Sequence, residues 1–133
     1  MKNRQKLITL FSIPLFLFGL IACGDTEKKV LTYEQISAQQ AKALMDTEKA
    51  YIILDVRTQE EFAQGHIAGA VLIPDYDIAA RAEAALPQKD ALILVYCRSG
   101  RRSKIASEQL VKLGYTNIKE FGGIIDWPYE AVT

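Results

Sequence analysis

Neither sign of charge predominates in this chain, where 16 Lys and Arg stand against 16 Asp and Glu. A general nucleic-acid binder carries an excess of cations, so that class is excluded. There is no internal repeat and no low-complexity tract. The longest apolar run, Leu7 to Ala22, is 16 residues long and contains Pro14, which is short for a bilayer span of about 20. Cysteine is scarce, with Cys23 and Cys97 the only two in the sequence. What is present is ordinary for a folded protein: 133 residues, 50% apolar and 24% charged. That is enough for one core and one domain, and it excludes disorder.

The N-terminus reads as an address. Lys2, Arg4 and Lys6 form a positive segment without acids, and the apolar run follows directly. This is the layout of a secretory signal peptide over residues 1–22; a retained transmembrane helix is the alternative. Leu20-Ile21-Ala22-Cys23 resembles the lipobox of bacterial lipoproteins, which implies lipidation of Cys23 and its exposure as the mature N-terminus. The alternative there is an ordinary cleavage site beside a bystander cysteine. Multiple acyl chains on Cys23 anchor a protein stably where one chain does not. Residues 23–29 then read as a polar tether whose last six residues reach about 20 Å when extended. The domain itself is expected over residues 30–133.

From Val30 onward, apolar bursts alternate with amphipathic stretches. Val30 to Tyr33 is a candidate first strand. Ser37 is placed to cap a helix with Ala38, Ala41, Leu44 and Met45 on one face. Tyr51-Ile52-Ile53-Leu54 is a continuous apolar run ending at Asp55, the pattern of a buried parallel strand. Thr58-Gln59-Glu60-Glu61 fits a capping box for a helix that Gly65 ends. Ala70 to Ile73 is a short burst closed by Pro74, and Ile78 to Leu86 is compatible with a helix. Ala91 to Tyr96 is the strongest strand. Ser103 to Leu113 follows as a helix with Ile105, Ala106, Leu110 and Leu113 inward, stopped by Gly114. Asn117 to Phe121 is the last strand, and Gly122-Gly123 a turn. Strands and helices alternating at this spacing predict an α/β domain with a mainly parallel sheet of about five strands and helices on both faces.

In open parallel sheets, ligands gather beyond the carboxyl ends of the strands. The strongest strand ends at Cys97, and Arg98-Ser99-Gly100-Arg101-Arg102-Ser103-Lys104 follows. A cysteine between a strand and a helix N-terminus faces loop amides and the positive end of the helix dipole, which favour the thiolate. Arg98, Arg101, Arg102 and Lys104 add four cations before the next acid, Glu108. Gly100 allows the loop to turn tightly and its amides to converge on an anion. The plainer alternative is a small buried hydrophobe, but the crowding of arginines around an unpaired thiol in an exported chain argues for reactivity.

At these residues the chain resembles a single-domain rhodanese. The resemblance rests on Leu54-Asp55-Val56-Arg57, Glu60-Glu61-Phe62, Gly65-His66-Ile67, Gly69-Ala70, the run from Tyr96 to Ser103, Leu113-Gly114-Tyr115, Gly122-Gly123 and Trp127. It implies a three-layer rhodanese-like fold. It also implies that Cys97 carries sulfur as a persulfide and that Arg98, Ser99, Gly100, Arg101 and Arg102 cradle the donor anion. Sulfur would pass from thiosulfate or a related small anion to cyanide or another thiophilic acceptor such as a thiol, without metal or organic cofactor. Some thiosulfate-specific members have Lys at the third loop position, where this chain has Ser99, so Arg101 would supply that charge. Asp55, Arg57 and His66 are implied as structural support, and Trp127 as a core anchor.

Two rival functions belong to other classes. One is a cysteine phosphatase or arsenate reductase, whose loop closes with arginine six residues after the cysteine; here that position is Ser103. The other is a non-catalytic or sensing lipoprotein built on the same fold. The expected partners are a small sulfur anion, a thiophilic acceptor and, through Cys23, a membrane; no nucleic acid is expected. The expected location is the bacterial cell envelope, lipid-anchored on the exported side.

Overall fold

The computed structural model describes residue 24 and residues 32–133. The leader, Cys23 and the tether apart from Gly24 lie outside the described residues. Five parallel strands form one sheet in the order β1-β5-β4-β2-β3. They are β1 (Glu34–Gln35), β2 (Ile52–Asp55), β3 (Val71–Leu72), β4 (Ile93–Cys97) and β5 (Ile118–Gly123). The helices are α1 (Ala38–Thr47), α2 (Gln59–Gln64), α3 (Ile78–Ala85) and α4 (Arg101–Lys112).

Central strand β4 is buried at every residue, as an apolar run flanked by two parallel strands must be. Its side chains alternate between two cores. Ile93, Val95 and Cys97 pack with Leu54, Ala82, Ala106 and Leu110 on the α3 and α4 side. Leu94 and Tyr96 pack with Ala41, Ile53, Ile67 and Phe121 on the α1 side. Helices on both faces give the three-layer α/β architecture expected from the sequence. Both capping boxes form: Ser37 exchanges hydrogen bonds with Gln40, and Thr58 with Glu61.

Several boundaries differ from expectation. The first strand among the described residues is Glu34–Gln35, and Thr32 and Tyr33 lie outside it, while Val30 and Leu31 of the expected strand fall outside the described residues; it is a polar, exposed edge strand, so no apolar run announces it. Helix α4 begins at Arg101, two residues before Ser103. Cations in a first turn oppose the helix dipole, but Gly100 at the N-cap has φ 106° and turns the chain directly into the helix. With that start, Ile105 is 39% exposed and Ser103 and Ser107 face inward in its place. Strand β5 continues through Gly122 and Gly123, which are strand residues and not a separate turn.

Candidate active site

Cys97 ends β4, and its side chain follows the strand alternation into the α4 side of the sheet. Its sulfur is enclosed, with the residue only 1% exposed. The Gly100 amide donates to Sγ at 3.0 Å, and Ser103 Oγ lies 3.4 Å away. The first-turn amides of α4 have no partners within the helix, so the sulfur sits at the positive end of a 12-residue helix.

Strand β5 shapes this loop from beneath. Val95 pairs with Glu120, yet Cys97 pairs with Gly123, so β5 carries one extra residue in a bulge beside the cysteine. Gly122 provides the bend with φ 87°. Gly123 has an ordinary extended conformation, but a Cβ there would stand 2.0 Å from the Arg98 carbonyl oxygen and 2.5 Å from the Ser99 Cα. The loop therefore rests directly on glycine backbone. The Ile125 amide holds it from the other side by donating to the Arg98 carbonyl at 3.2 Å.

The three arginines near Cys97 have different surroundings. Arg98 and Arg101 are exposed, and among the described residues neither has an ion-pair partner. Arg102 instead makes a two-pronged bond to Glu61, at 2.7 and 2.8 Å. That hydrogen bond keeps Arg102 above the usual arginine range, with lesser contributions from the charges of Glu61, Cys97 and Asp75. The same hydrogen bond lowers Glu61 from 4.5 to about 2, against the opposing effect of burial. Glu61 also closes the Thr58 capping box, so one carboxylate ties α2 to the start of α4. Ser99 is exposed and Gly100 buried.

Asp55, Arg57 and His66 lie in the adjoining framework. Asp55 is fully buried; it accepts from Arg57 Nη2 at 2.6 Å and from the Tyr96 hydroxyl at 2.6 Å. Burial alone would lower Arg57, but the hydrogen bond and charge of Asp55 outweigh it and raise the guanidinium above its ordinary value. Burial, with Asp55 beside it, raises Tyr96. Arg57 also donates to the Gly65 carbonyl at 2.7 Å. His66 stacks on Phe62 with ring centroids 3.7 Å apart, and its Nδ1 lies 2.9 Å from the Phe62 carbonyl. Its backbone bridges to Val132, and its hydrogen bonds go to Phe62 and Val132 and not to Cys97. Trp127 packs against Phe121, 5.6 Å between centroids.

The sequence reading gave no role to Glu61 beyond capping, and none to Glu120. Glu120 is 2% exposed and accepts at Oε1 from Ser103 Oγ at 2.6 Å and from the Gly122 amide at 2.8 Å. Its signal was available, since Ile118-Lys119-Glu120 alternates and puts a carboxylate where an inward apolar residue belongs. A cleft of about 270 Å³ borders the loop, lined in part by Arg98, Glu61, Gln64, Ile124 and Ile125.

A parallel α/β sheet that ends its central strand in a buried thiol at a helix N-terminus, beside two arginines without ion-pair partners among the described residues, defines an α/β domain with a cysteine-centred loop. Comparison with known proteins narrows this class. Residues 37–128 match the rhodanese-like domain, and the chain belongs to that family. It is 40% identical over 73 residues to thiosulfate sulfurtransferase PspE of Escherichia coli, covering 55% of this chain and 70% of that protein. To a sulfurtransferase of Allochromatium vinosum it is 39% identical over 92 residues, covering 68% of this chain and 83% of the other. Among solved structures, a rhodanese with anions from E. coli superposes with a TM-score of 0.60 at 37% identity, covering 63% of this chain and 99% of that one.

Proposed function

We propose that this protein is an envelope-anchored sulfurtransferase that takes sulfane sulfur from thiosulfate, or a related small anion, onto Cys97 and passes it to cyanide or a thiol. The observation that carries the reading is the Cys97 sulfur, which receives the Gly100 amide at 3.0 Å in a loop whose Arg98 and Arg101 are exposed and have no ion-pair partner among the described residues. The Cys97 thiolate attacks the outer sulfur of thiosulfate. An Sγ–S bond forms as the bond to the sulfonate sulfur breaks, and sulfite leaves with the electron pair. Loop amides with Arg98 and Arg101 hold the sulfonate oxygens and stabilise the charge on departing sulfite. The acceptor then attacks the outer sulfur and returns the thiolate. A nucleophile as enclosed as Cys97 is reached by a small donor and not by a bulky ester, and the arginine position that closes a phosphatase loop is occupied by Ser103. The signal-peptide and lipobox pattern ending at Cys23 supports the anchored location.

Intact-mass measurement after thiosulfate treatment tests the chemistry. One added sulfur on Cys97, lost on adding cyanide and absent from Cys97→Ser, is the expected result. An unmodified Cys97 under a panel of sulfane donors overturns it and leaves a binding or sensing role.

A further inference from the structure

We propose that Glu120 is a positioning residue that captures the Ser103 hydroxyl proton, withholds it from Cys97, and so favours the sulfur-loaded state over the free thiolate. This rests on the sulfurtransferase reading above and assigns a role to a residue that does not touch the donor.

The starting point is a carboxyl group the fold does not call for. Glu120 stands opposite Val95 on the apolar α4 side of the sheet, with Ile118 two residues before it. Burying a carboxylate is costly unless it is hydrogen-bonded. Among the described residues it has no ion-pair partner, and its two donors are Ser103 and the Gly122 amide. The amide needs only an acceptor, which a neutral glutamine supplies equally well. A carboxyl group in place of an amide is explained by Ser103 alone.

Ser103 has one proton and several acceptors. Glu120 Oε1 is nearest at 2.6 Å, against 3.0 Å for the Gly100 carbonyl and 3.4 Å for the Gly122 carbonyl, while the 3.4 Å contact with Cys97 has Sγ donating to Ser103 Oγ. A carboxylate at that distance makes the strongest of these bonds. The proton therefore points to Glu120, and Ser103 turns its lone pairs toward the sulfur. Lone pairs in that direction accept from a thiol, are indifferent to a divalent sulfur, and oppose a thiolate. After sulfur is taken up, Sγ is divalent and the negative charge lies on the outer sulfur, one bond farther from Ser103 and Glu120. Loading relieves the repulsion.

The test measures an equilibrium and not a rate. Purified protein is equilibrated with mixtures of thiosulfate and sulfite at fixed pH, and the loaded fraction is read by intact mass. In Glu120→Gln the Ser103 proton is free to turn to the thiolate, so the thiosulfate-to-sulfite ratio at half-loading rises on the order of tenfold. In a Ser103→Ala background the same substitution leaves the ratio unmoved. Glu120→Asp, too short to hold Ser103, shifts the ratio in the same direction, and it decides the matter if Glu120→Gln does not fold. An unmoved ratio in a cooperatively melting variant overturns the proposal, as does a shift that persists without Ser103. A wild-type Cys97 that takes up no sulfur overturns the sulfurtransferase reading and this proposal together; a wild type that loads with an unmoved ratio overturns this one alone.

Discussion

Arg98, Arg101 and Arg102 are equivalent in composition but not in surroundings, and the difference assigns them separate tasks. Arg98 and Arg101 are exposed and unpaired among the described residues, whereas both terminal nitrogens of Arg102 engage Glu61. Removing Arg98 or Arg101 should lower kcat/KM for thiosulfate about tenfold each, the worth of one charge-assisted hydrogen bond, with an unchanged melting temperature. Arg102→Ala should lower the melting temperature, because it leaves Glu61 without its partner. Steady-state kinetics beside thermal melts separates the two outcomes. At Asp55 the expectation is purely structural. Its carboxylate is 0% exposed and serves both Arg57 and Tyr96, so Asp55→Ala strands a buried guanidinium and should cost about 3–5 kcal/mol. Denaturant unfolding would measure that loss.

At the scale of elements, the position of the loop depends on the glycine pair of β5 as much as on its own sequence. A methyl group at Gly123 collides with the Arg98 carbonyl at 2.0 Å, and its nearest neighbours are all backbone atoms of Arg98 and Ser99, so the loop itself must move. Gly123→Ala should therefore reduce sulfur loading by about a hundredfold or more, since displacements near 1 Å have that effect on reacting groups; intact mass after a timed exposure to thiosulfate reads the loss. This dependence explains what the sequence could and could not disclose. The run Ile93 to Tyr96, the Thr58 box and the cations after Cys97 are local patterns, and each announces its element or its chemistry. The support of the loop by Gly123, the pairing of Glu61 with Arg102 over 41 residues and the meeting of Glu120 with Ser103 arise from strand order and register, which no local window contains. Helix α4 shows the same limit: two arginines in a first turn read as loop, because the distant carboxylate that compensates one of them is invisible along the chain.

For the whole molecule, the balanced charge is a cancellation with a direction. Lys2, Arg4 and Lys6 hold three of the 16 cations and residues 1–22 contain no acid, so residues 23–133 carry 13 cations against 16 acids. Four of those 13 lie between Arg98 and Lys104, leaving an acidic body around one positive loop. That layout concentrates positive charge beside Cys97 without making the chain a polycation.

Acid tests how that loop is held to the body through Glu61. Its folded value of about 2 lies below the 4.5 of the free group. A depressed carboxylate contributes stability that is present in full above 4.5 and is lost as pH falls toward 2. The melting temperature of the wild type should therefore exceed that of Glu61→Gln at pH 6 to 7, and the gap should narrow steadily between pH 4.5 and 2. A gap constant over that interval would show that the link between α2 and α4 does not depend on the ionised carboxylate. Sulfur loading should weaken over the same interval, because release of Arg102 from Glu61 loosens the first turn of α4, whose Gly100 N-cap holds the Cys97 sulfur.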